Sequence, residues 1–205
     1  LGGNGGDAQA LLGQISVTGA LTHGALTASA IGGNGAASAG SSNYNGFGGH
    51  ATSIITQTVV DLAAAERIEI SLVANAGEPG TGSSSTAAEQ GLWTIEIVES
   101  EFRLGNWTGG TSVLRINTQS NGVYNPFSSG IEGNIFDGGA GNDTLELNTG
   151  TLNPVSFDMS RNTVTGFELI RLGNTADDLV GDDNPNVVAG HGGDDLLFGN
   201  GGLDT

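Results

Sequence analysis

The clearest signal along the chain is a period of two. In residues 67–73, Ile68, Ile70 and Leu72 fall on one side of an extended backbone, and Arg67, Glu69 and Ser71 on the other. In residues 93–98, Trp93, Ile95 and Ile97 oppose Thr94, Glu96 and Val98. Such alternation predicts strands with one buried and one wet face. Residues 54–60 and 112–117 read as two more strands. Upstream, Ile15 to Thr18 and Leu26 to Ile31 alternate polar residues with smaller apolar ones. Leu62 to Glu66 reads as one helical turn and Glu78 to Ser85 as a loop. No long amphipathic helix is encoded, so the expected class is all-β.

Glycine punctuates these strands, at 37 of 205 positions. Gly2-Gly3-Asn4-Gly5-Gly6-Asp7 and Gly32-Gly33-Asn34-Gly35-Ala36-Ala37 read as turns that admit left-handed backbone. Three zones follow. Residues 1–52 form a Gly/Ala-rich segment, either a thin β-solenoid or a low-complexity linker. Residues 53–128 are a strand-rich domain or a continuation of a solenoid. Residues 129–205 carry Gly/Asp-rich repeats.

Charge sharpens this division. The net charge is −17 with no lysine, and it is distributed as −1, −5 and −11 over the three zones. So acidic a surface excludes nucleic acid as a partner, because phosphates need basic groups, and it attracts cations. Cysteine is absent, so there is no disulfide or thiolate site. No apolar run approaches the ~18 residues of a membrane span. The last residues, Leu203-Asp204-Thr205, fall inside a repeat, so the chain reads as a piece of a longer protein.

The repeats carry the chemistry. Gly138 to Glu146 match the nonapeptide G-G-x-G-x-D-x-U-x at each defined position, with Asp143 sixth and Leu145 eighth. Ser129 to Asp137 look like a degenerate copy with Asn134 sixth. From Leu172 four copies share one register: Asp177, Asn186, Asp195 and Asp204 stand sixth, and Leu179, Val188 and Leu197 eighth in the first three. Six residues make a glycine-permitted turn and three a short strand. The eighth residue points inward, while the sixth stays in the turn, where its carboxylate meets backbone carbonyls. Oxygen-only surroundings suit a hard cation of calcium's size. Soft ligands are missing, which argues against zinc.

Residues 129–205 thus resemble the RTX (hemolysin-type) calcium-binding repeat family. The resemblance implies a parallel β-roll in which two nonapeptides complete one coil and calcium lies between repeats n and n+2. On that basis Asp177 groups with Asp195, and the carbonyls near Asn174, Gly190 and Gly192 complete a first Ca2+ site. Asn186 groups with Asp204, and those near Gly181, Asp183, Gly199 and Gly201 complete a second. Asp143 is a further candidate ligand, with Asn125 and Arg161 two nonapeptides before and after it. Val155 to Ile170 resembles the stretch that links such arrays. Two carboxylates at ~5 Å repel by about 3 kcal/mol at an effective dielectric of ~20, so residues 172–205 are expected to be disordered without calcium.

No catalytic motif accompanies the repeats. His23, His50 and His191 do not form H-E-x-x-H, and G-x-S-x-G is absent. Glu96, Glu99 and Glu101 read as a solvated strand face, Trp93 as core, and Trp107 as a turn residue that packs or touches a sugar or partner. The family resemblance implies secretion before folding. The expected function is therefore an extracellular, calcium-binding structural or adhesive protein: a surface-layer, matrix, fibre or adhesin component that self-associates or stacks on neighbouring repeats. The alternative is the C-terminal folding module of a secreted enzyme or toxin, with catalysis upstream.

Overall fold

In the computed structural model the described residues are 4–36, 45–81, 89–107, 111–121, 123–124, 130–148 and 154–205. Parts of several expectations lie outside them: Gly2, Gly3 and Ala37 of the glycine motifs, the end of the Glu78–Ser85 loop, Ser129 of the degenerate repeat, Asn125, and the residues after Trp107.

The chain winds through parallel sheets in a repeating order. β1 (Ala8–Gly13), β2 (Ser16–Gly19) and β3 (His23–Ile31) make the first coil. β4 (Ala51–Thr56), β5 (Val59–Leu62) and β6 (Arg67–Asn75) make the second, and β7 (Leu92–Val98), β8 (Glu101–Arg103) and β9 (Thr111–Asn121) the third. β10 (Val123–Tyr124), β11 (Ile131–Glu132), β12 (Ile135–Asp137) and β13 (Asn142–Leu147) follow. Then come β14 (Ser156–Asp158), a 3-10 turn over Met159–Arg161, β15 (Thr163–Thr165) and β16 (Leu169–Arg171). β17 (Asp178–Val180), β18 (Val188–Ala189) and β19 (Leu196–Phe198) end the chain. The first face stacks β1, β4, β7, β10 and β11; the second stacks β2, β5, β8, β12 and β15; the third stacks β3, β6, β9, β13, β16 and β18. A short sheet of β14, β17 and β19 completes the narrow end. Each strand ladder is parallel, as a solenoid requires.

The coil shrinks along the axis. Ala8 pairs with Ala51 and Ala51 with Trp93; Glu101 pairs with Ile135 and Ile135 with Thr163; Asp178 pairs with Leu196. Side-chain bonds between coils keep the same steps: His50 to Asp7 spans 43 positions, Thr58 to Ser100 spans 42, Arg103 to Asp137 spans 34, Thr165 to Asp137 spans 28 and Asp177 to Asp195 spans 18. After β15 the second face ends, and the chain visits only two sheets per coil. A wide three-faced solenoid narrows into a two-faced roll, and the third face runs unbroken across the composition change near residue 129.

Inward-facing apolar side chains form one core. β6 shows strict alternation, with Ile68, Ile70, Leu72 and Ala74 buried. Phe102, Phe136 and Phe157 are fully buried; the first two rings stack with centroids 5.7 Å apart and the third leans on Phe136 at 6.0 Å. Trp93 packs against this core at its edge.

The single strand expected over residues 54–60 is two strands on adjacent faces. Gln57, at φ 48°, turns the corner between β4 and β5. Gln14 (φ 56°), Glu99 (φ 50°) and Gly133 (φ 69°) turn the same corner in other coils. Glu99 is therefore a corner residue and not part of a strand face. The helical turn expected at Leu62 to Glu66 does not form; the segment leaves β5 and bridges Ala64 to Gly105. Left-handed backbone costs a non-glycine residue about 1–2 kcal/mol, partly offset by glycine's extra unfolded-state entropy. Glu99→Gly is accordingly expected to stabilise the protein by about 0.5–1 kcal/mol, seen as a higher urea midpoint. A lower midpoint would mean that the Glu99 side chain contributes more than its backbone strain costs.

The glycine motifs of the first zone are not left-handed turns. Among Gly5, Gly6, Gly32, Gly33 and Gly35 none has positive φ. They belong to extended segments that leave the third face and return to the first, packed side by side. Gly33 N donates to Gly6 O (2.8 Å), Gly49 N to Gly33 O (2.9 Å), Gly77 N to Gly49 O (2.8 Å) and Gly91 N to Gly77 O (3.1 Å). A Cβ at Gly49 would lie 2.1 Å from Gly6 O, and one at Gly77 2.0 Å from Gly33 O. Glycine is required here because backbones touch. The linker reading of residues 1–52 gives way, for the described residues, to a wide β-coil with a glycine-packed corner.

Candidate functional site

The four-repeat array supplies the acidic turns of the narrow roll. Its strands are the three-residue pieces expected after each sixth position: β17 and β19 have three residues, β18 two. Leu179 is buried, Val188 packs against the core, and Leu197 in the last coil is 43% exposed.

The turns stack in two columns, with stacked positions two nonapeptides apart. In the first, the loop before β19 lies on the loop before β17. A Cβ at Gly192 would lie 3.6 Å from Asn174 Oδ1, and one at Gly193 only 2.2 Å from Thr175 O. In the second, a Cβ at Gly199 would lie 2.2 Å from Asp204 Oδ2, one at Gly181 2.6 Å from Gly199 O, one at Gly201 2.8 Å from Asp183 Oδ1, and one at Gly202 2.6 Å from Asn184 O. Gly193 and Gly202 have φ of 116° and 97°. Their counterparts Thr175 and Asn184, which depart from the glycine of the repeat, do not have positive φ. Only the later copy of each pair needs glycine at its fourth position.

Sixth-position side chains join successive coils. Asp177 is 0% exposed. Its Oδ1 accepts from Val155 N (2.9 Å) and Thr175 Oγ1 (2.9 Å), and its Oδ2 from Gly173 N (2.9 Å). Asp195 Oδ1 accepts from Asp177 N (3.0 Å) and Asp204 Oδ1 from Asn186 N (2.9 Å). Asn186 Oδ1 accepts from Asp182 N at 3.4 Å, within its own loop. The structure therefore brings Asp177 together with Asp195, and Asn186 with Asp204, and puts Asn174, Gly190 and Gly192 in the first stack and Gly181, Asp183, Gly199 and Gly201 in the second. His191 is a left-handed turn residue at φ 62°. Among the described residues no three His, Asp or Glu side chains converge on one point. Any cation here would rely on backbone oxygens as well.

Two sixth-position residues depart from this plan. Asn134 is no turn ligand. It is buried at the corner into β12, accepts from Ser100 N (3.0 Å) and donates to Ile97 O (2.7 Å) and Asn162 Oδ1 (3.1 Å). Thr58 N donates in turn to Ser100 Oγ (3.2 Å), so the corner carries a polar ladder through four coils, from Thr58 to Asn162. Asp143 does not sit in a turn either. It lies in β13 on the inward side with Leu145 and Leu147, all three 0% exposed. Arg161, two nonapeptides further along, pairs instead with Glu132 and Asp158. The neighbours of Asp143 are Ser112, its partner in β9, and Glu168, whose Oε2 accepts from Asp143 N at 2.6 Å. Burial pushes the Asp143 carboxyl above its ordinary value; the Ser112 hydroxyl opposes this, and the charges of Glu168 and Asp137 add to it. Glu168 and Ser112 carry no repeat signature, and only the tertiary register reveals them.

The wide coils neutralise stacked acids with arginine. Down the outer side of the third face Glu69, Arg115, Glu146 and Arg171 occupy one register. Arg115 Nε donates to Glu146 Oε2 at 2.6 Å, and Arg171 reaches Glu146 Oε1 at 3.5 Å. The repeats from Leu172 onward contain no arginine. No protein-family model, curated protein or solved structure matches this chain.

Proposed function

We propose that this chain is an extracellular calcium-binding structural or adhesive protein whose narrow roll takes up calcium between its stacked turns. The observation that carries this reading is the Asp177–Asp195 column, where stacking sets acid on acid in repeats that carry no arginine of their own. In the wide coils arginine fills that need. In the turns a cation would fill it.

The residues present fit such an ion. The loops offer oxygen alone, and at Gly190 and Gly199 a Cβ would stand 2.5 and 2.2 Å from the Oδ2 atoms of Asp195 and Asp204. The missing side chains leave those oxygens room within their own turns. Asp177, Asp195 and the carbonyls near Asn174, Gly190 and Gly192 would hold one ion. Asn186, Asp204 and the carbonyls near Gly181, Asp183, Gly199 and Gly201 would hold the other. Calcium supplies positive charge and accepts six to eight oxygens in loose geometry, with affinities of ~10⁻⁴–10⁻³ M in extracellular modules. The chain's own part is to set carboxylates against backbone N–H groups so that the turns keep their shape. The role is architectural and not catalytic. Among the described residues no helix is long and apolar enough to cross a membrane.

Amide exchange resolved by residue tests this. With millimolar calcium the amides of Gly173, Asp177 and Asn186 should be protected. In chelator they should exchange freely while Ile68 to Ala74 stay protected. Equal protection in both buffers would refute calcium-dependent ordering of the roll.

A further inference from the structure

The row of charges down the outer side of the third face ends one member short. Successive coils place Ala25, Glu69, Arg115, Glu146, Arg171 and Ala189 in one register. From Glu69 onward the row reads acid, base, acid, base, and the next position holds only a methyl group. Glu146 lies between two guanidiniums: Arg115 Nε donates to its Oε2 at 2.6 Å, and Arg171 Nη1 stands 3.5 Å from its Oε1. One carboxylate facing two cations leaves a positive charge uncompensated, in a chain whose net charge is −17.

Arg171 is the member left over. Its side chain is 43% exposed, and among the described residues it donates no hydrogen bond and forms an ion pair with Glu146 alone. The remaining residues of the chain contain neither Asp nor Glu. Arg103, Arg115 and Arg161, by contrast, each donate to a carboxylate oxygen. Beside Arg171 the surface opens into a cleft of ≈ 290 Å³, lined by Arg115, Glu146, Arg171, Leu172, Asn174 and His191. Asn174 and His191 are exposed there and offer an amide and an imidazole. A guanidinium fork matches a carboxylate through two parallel N–H···O bonds, and a carboxylate is the group that would continue the row. The cleft has more room than a carboxylate fills, and its other exposed side chains form hydrogen bonds, so the body that carries the carboxylate is hydroxylated.

We infer that Arg171, with Asn174 and His191 beside it, binds the carboxylate of an acidic sugar, which takes the rung that Ala189 leaves unfilled. The choice of a saccharide rests on the adhesive reading given above; the carboxylate site does not. Asn174 and His191 belong to the loops which that reading orders with calcium, so binding with and without calcium separates the two claims.

Titration of the whole chain with glucuronate at constant free calcium, followed by the backbone amide shifts of Ala189 and His191, tests the site. The natural chain should saturate. Arg171→Gln should weaken binding by about tenfold or more, as the loss of a charge-assisted pair does, while the amide shifts of Ile68 to Ala74 stay in place. Ala189→Glu supplies the missing rung from within the chain, so it should exclude glucuronate and raise the melting temperature. Glucose, which has no charge, should move nothing, and acetate should bind about fivefold more weakly than glucuronate, the worth of one neutral hydrogen bond. Natural affinity in Arg171→Gln or in Ala189→Glu would overturn the site. Acetate bound as tightly as glucuronate would overturn the sugar, and sulfate bound as tightly would overturn the preference for a carboxylate. In chelator, loss of binding together with free exchange at Gly173 supports ordering of the roll by calcium; unchanged binding would sink that reading and leave this site standing.

Discussion

Asp177→Ala is expected to destabilise the narrow roll by about 4 kcal/mol, since each buried donor left without an acceptor costs about 1–3 kcal/mol. Three donors lose their partner: Val155 N, Gly173 N and Thr175 Oγ1. Two of them belong to the loop that Asp177 closes and the third to the coil before it, so the change loosens a turn and a coil junction together. That loss is a large part of the ~5–15 kcal/mol that holds a domain. Asp177→Asn should cost less, because an amide oxygen can still serve the Val155 side. Asp178→Ala, at the next position and exposed, should stay within about 0.5 kcal/mol of the natural chain. Urea unfolding at fixed calcium ranks the three. Equal losses for Asp177→Ala and Asp178→Ala would show that the bonds to Asp177 contribute nothing.

Gly77→Ala should act at the opposite end with comparable force. The new Cβ would enter at 2.0 Å from Gly33 O, 2.6 Å from Gly33 C and 2.9 Å from Gly49 N, all of them backbone. No rotamer can relieve a clash with three main-chain atoms, so packed segments must part. The hydrogen bonds that pass from Gly49 through Gly77 to Gly91 would break with them. Overpacking of this kind costs about 3 kcal/mol or more, roughly a 10 °C fall in melting temperature for a chain of this size. Gly6→Ala is the matched control. A Cβ there meets nothing within 4 Å and the backbone is not left-handed, so its melting temperature should hold or rise slightly. If Gly77→Ala melts with Gly6→Ala, the glycine segments are not in close contact.

These two sites were legible to different degrees. The Asp177 column was legible through repetition and the RTX resemblance together: four nonapeptides share one register, the resemblance implies two to a coil, and the structure stacks Asp177 and Asp195 at that spacing. The glycine corner was visible only as composition. Its sequence matches turn chemistry, and it took the neighbouring backbones to show that closeness, and not left-handed φ, excludes a side chain there.

The same division runs through the molecule. Alternation along residues 67–73 was enough to assign both a strand and its buried face, because period two is a property of a few neighbouring residues. The nonapeptide, with the two repeats per coil that its RTX resemblance implies, was enough to set the short coil of the narrow roll, because each repeat stacks on a near copy of itself two repeats along. The wide coils are more than twice as long and close without repeating their sequence. Which residues meet there depends on the side chains that fill a shared core, and on corners such as Gln57 that bend one apolar run onto two faces. Tertiary packing therefore decided that Asn134 became a corner ladder residue and that Asp143 turned inward to face Ser112 and Glu168. A local pattern determines what a strand is; its partner across a long coil is selected by the core that both must fill.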